Sequence, residues 1–424
     1  MQSMKFELDD KPGLGPLLLY GLQWWIISLP SAVIMGVIVS RLHFGPDVWL
    51  QTVYMQKIFG LMGLVTIIQV LWGHRLPLVV GPATILLVGI TASSSSSIDE
   101  LYTAMCAGGA ALAVLAYSGL LSRLRLFFTP RIVSIILILI AVTLTPTILR
   151  LVSGNPDTAA RDASFAVLLV FFLLLLNKLL PGIWKSMTVL AGLFGGSFVY
   201  FLLDGFPVLP ESGGAGQSFP LLGGFAFDPG TVLSFLFCYL ALLINELGSV
   251  ESIGQMLKVD DTGARIKHGA GIQGLANMAA GGLGVIGSVD YSMSAGVIAA
   301  TGCASRYTLI PAGAGLALCA FFPGVIQLLS CIPAVVMGAL MLYLMSTQMA
   351  SGLSMLVARK AVTDFNSGVT VALPLMIGLV VAFAPPVVTT GMPELLRPIL
   401  GNGFVMGTIA VIVLEHVVFA EKKA

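Results

Sequence analysis

Long apolar stretches, separated by glycine, proline and charged residues, follow one another along almost the whole chain. A helix needs about 20 apolar residues to cross a membrane, and short broken stretches are typical of interrupted helices. By this criterion the chain contains fourteen candidate spans. Seven lie in the first half at 15–40, 57–73, 76–92, 102–122, 130–150, 164–180 and 183–203, and seven in the second half at 231–257, 269–286, 290–304, 308–322, 332–354, 366–386 and 399–419.

The composition agrees with a protein that lies mostly in the membrane. Of the 424 residues, 57% are hydrophobic and only 10% are charged, whereas a soluble domain carries about 25% charged residues. This excludes a water-soluble enzyme, a disordered scaffold and a coiled coil. The net charge of +1 also provides no basic surface for nucleic acid.

The distribution of lysine and arginine predicts the orientation in the membrane. With the N-terminus inside, most of the 21 basic residues fall on the cytoplasmic side, as the positive-inside rule requires. We therefore expect a cytoplasmic N-terminus (1–14), a first repeat (15–203), an extracytoplasmic connecting loop (204–230), a second repeat (231–419) and a cytoplasmic C-terminus (420–424). The charged residues 1–14 lack a hydrophobic stretch, so no cleaved signal peptide is expected.

An odd number of spans in each half means that the two halves lie upside down relative to each other. The fifth and twelfth spans share a proline followed by β-branched or small residues, at Pro130 and Pro333. The third and tenth spans are both short and interrupted by glycine or proline, and such a pair at equivalent positions marks the central site of a transporter. The alternative is that both are kinked packing helices.

The eighth span contains two carboxylates where ionisable groups are costly. Glu251 and Gln255 are four residues apart and share one helix face, whereas Glu246 is rotated from Glu251 by about 140°. Glu251 is the candidate for ligand and proton binding, and Glu246 and Asp290 are further candidates for the proton. Asp290, before the tenth span, either belongs to the site or caps the half-helix that follows.

We find no signature of an enzyme. HExxH, GxxxxGK[ST] and GxSxG are all absent. The four histidines do not have metal-ligand spacing and the five cysteines form no CxxC pair, so neither a cofactor nor a metal is expected. Transport remains, coupled to an ion gradient if it is coupled at all.

Four fragments, in the right order along the chain, resemble the nucleobase–ascorbate transporter family, which includes uracil, xanthine and uric acid permeases. These are Gly21-Leu-Gln-Trp24, Glu251-Ser-Ile-Gly254, Ile332-Pro-Ala-Val-Val-Met-Gly-Ala339 with the following Ala350-Ser-Gly-Leu353, and Asp364-Phe-Asn-Ser367. The resemblance implies an all-α polytopic fold of fourteen segments in two inverted seven-helix repeats, with helices 3 and 10 broken. It also implies a core domain (spans 1–4 and 8–11) and a gate domain (spans 5–7 and 12–14).

The same resemblance implies a substrate bound between spans 1, 3, 8 and 10, elevator-like movement, a homodimer and proton symport. Glu251 takes the place of the glutamate that binds ring N–H groups, and Gln255 the polar place one turn further on. Ser31 and Thr84, with the neighbouring Ala83, take the places of contacts from spans 1 and 3.

The tenth span departs from the family pattern. Anchored on Gly296 and Thr301-Gly302, the position that usually carries a glutamine or glutamate is Met293. Backbone N–H groups between Ser292 and Ser294 would remain to bind a carbonyl group.

The resulting hypothesis is a nucleobase symporter for purines or pyrimidines, coupled to protons or sodium, in the cytoplasmic (inner) membrane of the cell. The alternatives are the same fold carrying another small organic anion, an uncoupled facilitator and a membrane binding protein.

Overall fold

The computed structural model describes residues 4–93, 96–121, 128–181, 183–207, 224–291, 293–385, 387–388, 391–393 and 396–419. The elements of the first half are α1 (Leu14–Phe44), α2 (Val48–Leu71), β1 (Val79–Pro82), α3 (Thr84–Ala92), α4 (Ile98–Tyr117), α5 (Pro130–Thr143), α6 (Thr145–Val152), α7 (Ala159–Leu179), α8 (Ile183–Ser186) and α9 (Thr188–Asp204).

The second half contains α10 (Pro229–Leu257), α11 (Thr262–Leu283), β2 (Ser288–Tyr291), α12 (Ser294–Thr301), a 3₁₀ turn (Arg306–Thr308), α13 (Leu309–Cys319), α14 (Pro323–Ser330), α15 (Ala334–Ala358), α16 (Phe365–Ala382), α17 (Arg397–Leu400), α18 (Gly403–Val413) and a π-helical turn (Leu414–Val418).

Every predicted span corresponds to between one and three of these elements. Among the described residues, eight helices are long and apolar enough to cross a membrane, and a ninth span results if α13, with the preceding 3₁₀ turn, and α14, bent by 87°, are counted together. The helices at Thr188–Asp204 and Gly403–Val418 are apolar but shorter. The total of fourteen crossings stays a prediction, and residues 208–223 of the predicted connecting loop lie outside the described part of the chain.

The interrupted spans differ from the all-α expectation. Spans 3 and 10 each begin as a short strand, β1 and β2, and continue as a short helix, α3 and α12. The strands pair antiparallel, with Val80 opposite Asp290 and Gly81 opposite Val289. Backbone that leaves a helix at membrane depth needs other hydrogen-bond partners, and each interrupted span supplies them to the other.

The helices pack as two groups that correspond to the predicted core and gate. In the core, α4 packs on α11, α2 on α13, and α10 on α3 and α4. In the gate, α15 packs against α5, α6 and α7, while α16 packs against α5 and α18.

These contacts have the symmetry of an inverted repeat. In such a repeat each span of the first half corresponds to the span seven places later. The contact between spans 4 and 9 (α4 on α11) therefore corresponds to the contact between spans 11 and 2 (α13 on α2), and the structure contains both. Likewise, the contact of spans 6 and 12 (α7 on α15) becomes that of spans 13 and 5 (α16 on α5). The pseudo-twofold relation therefore holds in both groups.

Glycines allow the closest of these helix pairs to approach backbone to backbone. A Cβ atom on Gly274 of α11 would lie 2.4 Å from the backbone nitrogen of Ala113 in α4. The symmetry-related pair behaves alike, because a Cβ on Gly63 of α2 would lie 2.4 Å from the carbonyl oxygen of Gly313 in α13. Small residues at a helix crossing are the usual means of tight packing in membranes.

We predict that Gly274→Ala destabilises the core, because the added methyl group forces α4 and α11 apart at about 1–3 kcal/mol for an overpacked contact. Thermal unfolding of purified protein in detergent measures the loss. Gly282→Ala on the same helix is the matched control, since no atom lies within 4 Å of its added Cβ. Equal unfolding temperatures for the two variants would contradict the close crossing.

Candidate substrate site at the crossing of the interrupted spans

The two half-helices begin where the strands cross. β1 leads into α3 through Ala83, and β2 leads towards α12, whose N-cap is Met293. Neither side chain can cap a helix N-terminus. The third N–H group of each half-helix, that of Leu86 or of Gly296, donates to the carbonyl of its own N-cap residue at 3.0 Å, so at most the first two N–H groups of each half-helix can serve a ligand. The positive ends of two helix dipoles therefore lie at this crossing, an arrangement that suits carbonyl oxygens or anions.

Ser294 ties the two repeats together. Its hydroxyl accepts a hydrogen bond from the N–H of Val79 at 3.1 Å and donates one to the carbonyl of Tyr291 at 2.9 Å. The side chain is fully buried. The hydroxyl of this predicted ligand contact thus has two partners inside the protein.

Tyr291 is a residue of the crossing that the sequence did not indicate. Its hydroxyl donates to the carbonyl of Pro82 at 2.8 Å, and its ring lies against Gly81, where an added Cβ would come within 2.4 Å of the ring. Gly81 is therefore needed for the aromatic ring to pack on β1. The hydroxyl also lies near Ser31 of α1.

Helix α10 presents two different polar faces. One face is accessible: it carries the exposed residues Gly248, Ser252 and Gln255 and the half-buried Glu251. Glu246, on the other face, is completely buried. The predicted rotation of about 140° between the two glutamates thus separates an accessible carboxyl from an interior one.

The other predicted contacts lie on elements that meet the strand pair. α1 packs on β1 and α3, and α10 packs on α3, β2 and α12, so the four predicted spans surround one region. Ser31 and Thr84 are half-buried, Ala83 is buried and Met293 is 44% exposed. Ser292 lies outside the described residues.

Asp290 does not cap α12. It lies in β2, and its carboxylate Oδ2 is 3.0 Å from His74 Nε2, with both side chains fully buried. The carbonyl oxygen of Asp290 accepts hydrogen bonds from Asn245 at 3.0 Å and Ser249 at 3.2 Å. The capping alternative is therefore wrong, because β2 turns the carboxylate towards α10 and the α2–β1 loop.

Comparison with known proteins identifies the family. Residues 15–387 match the family model Xan_ur_permease, described as a permease family. The chain belongs to this permease family. It is consequently a multi-pass membrane permease and not an enzyme.

Relatives and solved structures agree with this assignment. A nucleobase transporter of Paenibacillus larvae is 26% identical over 96% of this chain and 95% of its own length. A xanthine permease of Bacillus subtilis is 23% identical over 97% of this chain and 96% of its own length. The transmembrane domain of a cyanobacterial bicarbonate transporter superposes with a TM-score of 0.65 at 16% identity, covering 87% of this chain and 96% of that one, and confirms the inverted-repeat fold.

We predict that Ser294→Ala lowers the free energy of unfolding of the permease by about 1–3 kcal/mol, because the N–H of Val79 loses its buried acceptor. Thermal unfolding in detergent is the measurement. Ser346→Ala is the control, since that exposed hydroxyl donates only to Leu342 of its own helix. A Ser294→Ala variant as stable as the control would show that the hydroxyl does not tie the strands together.

Proposed function

We propose that this permease is a nucleobase:proton symporter that binds its substrate between α1, the β1–α3 unit, α10 and the β2–α12 unit. The observation that carries the proposal is the position of Glu251 on the accessible face of α10, a helix that packs on both half-helices, whose N-caps lack a capping side chain. Relatives named as a nucleobase transporter and a xanthine permease support this class of substrate.

The chemistry of a nucleobase suits both the carboxylate of Glu251 and the N-termini of the two half-helices. A purine or pyrimidine ring presents N–H donors beside carbonyl acceptors along one edge. The carboxylate of Glu251 accepts hydrogen bonds from ring N–H groups, and charge-assisted bonds of this kind are roughly twice as strong as neutral ones. The first two N–H groups of α3 and of α12 donate to the ring carbonyls.

The remaining contacts set specificity. Gln255 lies one turn beyond Glu251 on the same face of α10, and Ser31 and Thr84 approach from α1 and α3. Because Met293 cannot hydrogen-bond the ring and the hydroxyl of Ser294 is already engaged, α12 contributes only backbone N–H groups.

Orientation follows from the basic residues at one end of the molecule. The N–H of Lys5 donates to Gly302, Arg265 donates to the carbonyl of Arg75, and Arg306 pairs with Asp9 at 2.7 Å. The N-terminal segment and four basic residues therefore share one end. By the positive-inside rule this end is cytoplasmic, with both termini inside and the protein in the cytoplasmic membrane.

Alternating access takes an elevator form in this proposal. The core, which carries the strand crossing and Glu251, moves as a unit against the gate built around α15. Separate packing of the two groups supports such movement, and the gates of two copies form a homodimer.

A second candidate is an uncoupled facilitator or binding protein with the same fold, or a carrier of another small organic anion. The observation that favours it is the exposed Met293, which removes the polar side chain expected at the base.

We predict that Glu251→Gln abolishes the thermal stabilisation that a nucleobase gives the wild type. A ligand at about one hundred times its dissociation constant adds about 2.7 kcal/mol to the free energy of unfolding. A thermal-unfolding screen of xanthine, uric acid, uracil and small carboxylates can therefore detect the ligand-induced stabilisation and its loss. Glu100→Gln is the control, because that exposed carboxylate only caps α4. Stabilisation by a carboxylate but by no base would favour the second candidate.

We further predict that Met293→Gln tightens nucleobase binding by about 0.5–1.5 kcal/mol, since it adds one hydrogen bond to the base. Equilibrium binding of the best base from the thermal screen provides the comparison. Met293→Leu, which changes shape without adding polarity, is the control. Equal affinities for Met293→Gln and Met293→Leu would place this side chain away from the ligand.

A further inference from the structure

Three ionisable side chains meet in the interior behind the strand crossing. His74 comes from the loop between α2 and β1, Glu246 from α10 and Asp290 from β2, and all three are completely buried. His74 Nε2 lies 3.0 Å from Asp290 Oδ2, and the carboxyl of Glu246 interacts with that of Asp290. Gly269 of α11 closes the cluster, because an added Cβ would lie 3.0 Å from His74 Cβ and 3.2 Å from Glu246 Oε1.

The imidazole does not neutralise the two carboxyl groups. His74 Nδ1 accepts a hydrogen bond from the N–H of Leu76 at 2.9 Å, so this nitrogen carries no proton. The ring is then neutral, with its single N–H on Nε2, which lies 3.0 Å from Asp290 Oδ2 but does not have the geometry of a hydrogen bond to it.

No cation among the described residues enters the cluster either. The nearest one, Arg265 of α11, donates to the backbone carbonyls of His74 and Arg75 at 3.1 and 2.9 Å. Arg265 in turn interacts electrostatically with four charged side chains, Asp9, Arg75, Asp261 and Arg306. The polar neighbours Asn245 and Ser249 bind the carbonyl of Asp290, and the carboxylate oxygens of Glu246 and Asp290 make no hydrogen bond of ordinary geometry.

Two adjacent carboxylates that are buried without a cation cannot both be ionised at acceptable cost. Such a pair holds one proton between its members and takes up a second proton at a separate step. The cluster therefore alternates between a singly protonated form with charge −1 and a doubly protonated, neutral form. No other bond is made or broken.

The cluster lies next to the substrate site, and its His74 adjoins Arg75 and Arg265 at the basic end of the molecule. Glu246 is eleven residues from the end of α10, about 16 Å along the helix, whereas Glu251 is only about 9 Å from that end. Asp290 points to the cluster, while its neighbour Tyr291 lies over β1 near Ser31. A movement of β2 or α10 on substrate binding therefore changes the distance between the carboxyl groups of Asp290 and Glu246.

We propose that the His74–Asp290–Glu246 cluster is the proton-binding site that couples transport, and that Glu251 serves the substrate alone. The proposal rests on the symport proposed above. Substrate and proton then favour each other's binding by the same factor, as linkage requires, and the neutral loaded core moves through the membrane more readily than the charged one.

Proteoliposomes loaded with wild type or variants test this with tritiated xanthine. Counterflow exchange needs no net proton movement, whereas accumulation against a gradient does. With one proton per substrate, an interior more alkaline by about one pH unit drives about tenfold accumulation by the wild type. For Asp290→Asn and Glu246→Gln we expect counterflow to persist and accumulation to fall to simple equilibration.

Asp162→Asn in α7 of the gate is the matched control. Asp162 is also buried, but it pairs with Arg161 at 3.1 Å and accepts a hydrogen bond from Thr158, so the variant should still accumulate xanthine. Xanthine binding by detergent-solubilised protein across pH gives a second readout, because its pH dependence should disappear in the cluster variants.

Three results would overturn the proposal. Both cluster variants could retain tenfold accumulation, they could lose counterflow together with accumulation while eluting as folded protein, or Asp162→Asn could lose accumulation equally. A wild type that moves neither xanthine nor uracil in either assay contradicts the proposed function itself, which distinguishes the two failures.

Discussion

Backbone that leaves a helix inside a membrane must find hydrogen-bond partners within the protein, and the rest of this structure depends on how that requirement is met. β1 and β2 pair with each other, and the N–H of Ala83 extends the ladder to Gly287 at 2.8 Å. Because one strand comes from each repeat, the same hydrogen bonds that permit the interruptions also join the two halves of the core.

The strand pair also separates two kinds of chemistry. Side chains alternate along a strand, so Tyr291 lies on β1 near Ser31 while Asp290 faces His74 and Glu246. Helix α10 repeats this division, with Glu251 on its accessible face and Glu246 inside. An accessible carboxyl can bind a ligand and an enclosed pair can hold a proton, and a single permease can use both.

The sequence predicted the features that local patterns encode. Apolar length gave the spans, and glycine and proline marked both interrupted segments. Pro130 and Pro333 both stand at helix starts, in α5 and just before α15, two helices that pack against each other. The five-residue spacing placed Glu246 and Glu251 on different faces of α10.

The rest depends on contacts between residues that are distant in the chain. Nothing near His74 indicates that it meets Asp290, 216 positions later, and a histidine at the end of a span is equally compatible with an interfacial residue. The sequence was also compatible with a capping role for Asp290, and only its position in β2 shows that the side chain points away from α12. Ser294 was predicted from the family pattern as a ligand contact, but its two hydrogen bonds to Val79 and Tyr291 become visible only when the repeats are packed together.

The central claim is that a nucleobase binds where the two half-helices begin. Alkylation of a single cysteine tests it most directly. Thr84→Cys places a thiol at the half-buried first residue of α3, in a background in which Cys106, Cys238, Cys303, Cys319 and Cys331 are replaced by alanine. We expect a saturating nucleobase to slow the reaction of this thiol with a maleimide, and we expect the protection to disappear when Glu251→Gln is added. An alkylation rate that a saturating, transported nucleobase leaves unchanged would contradict the central claim.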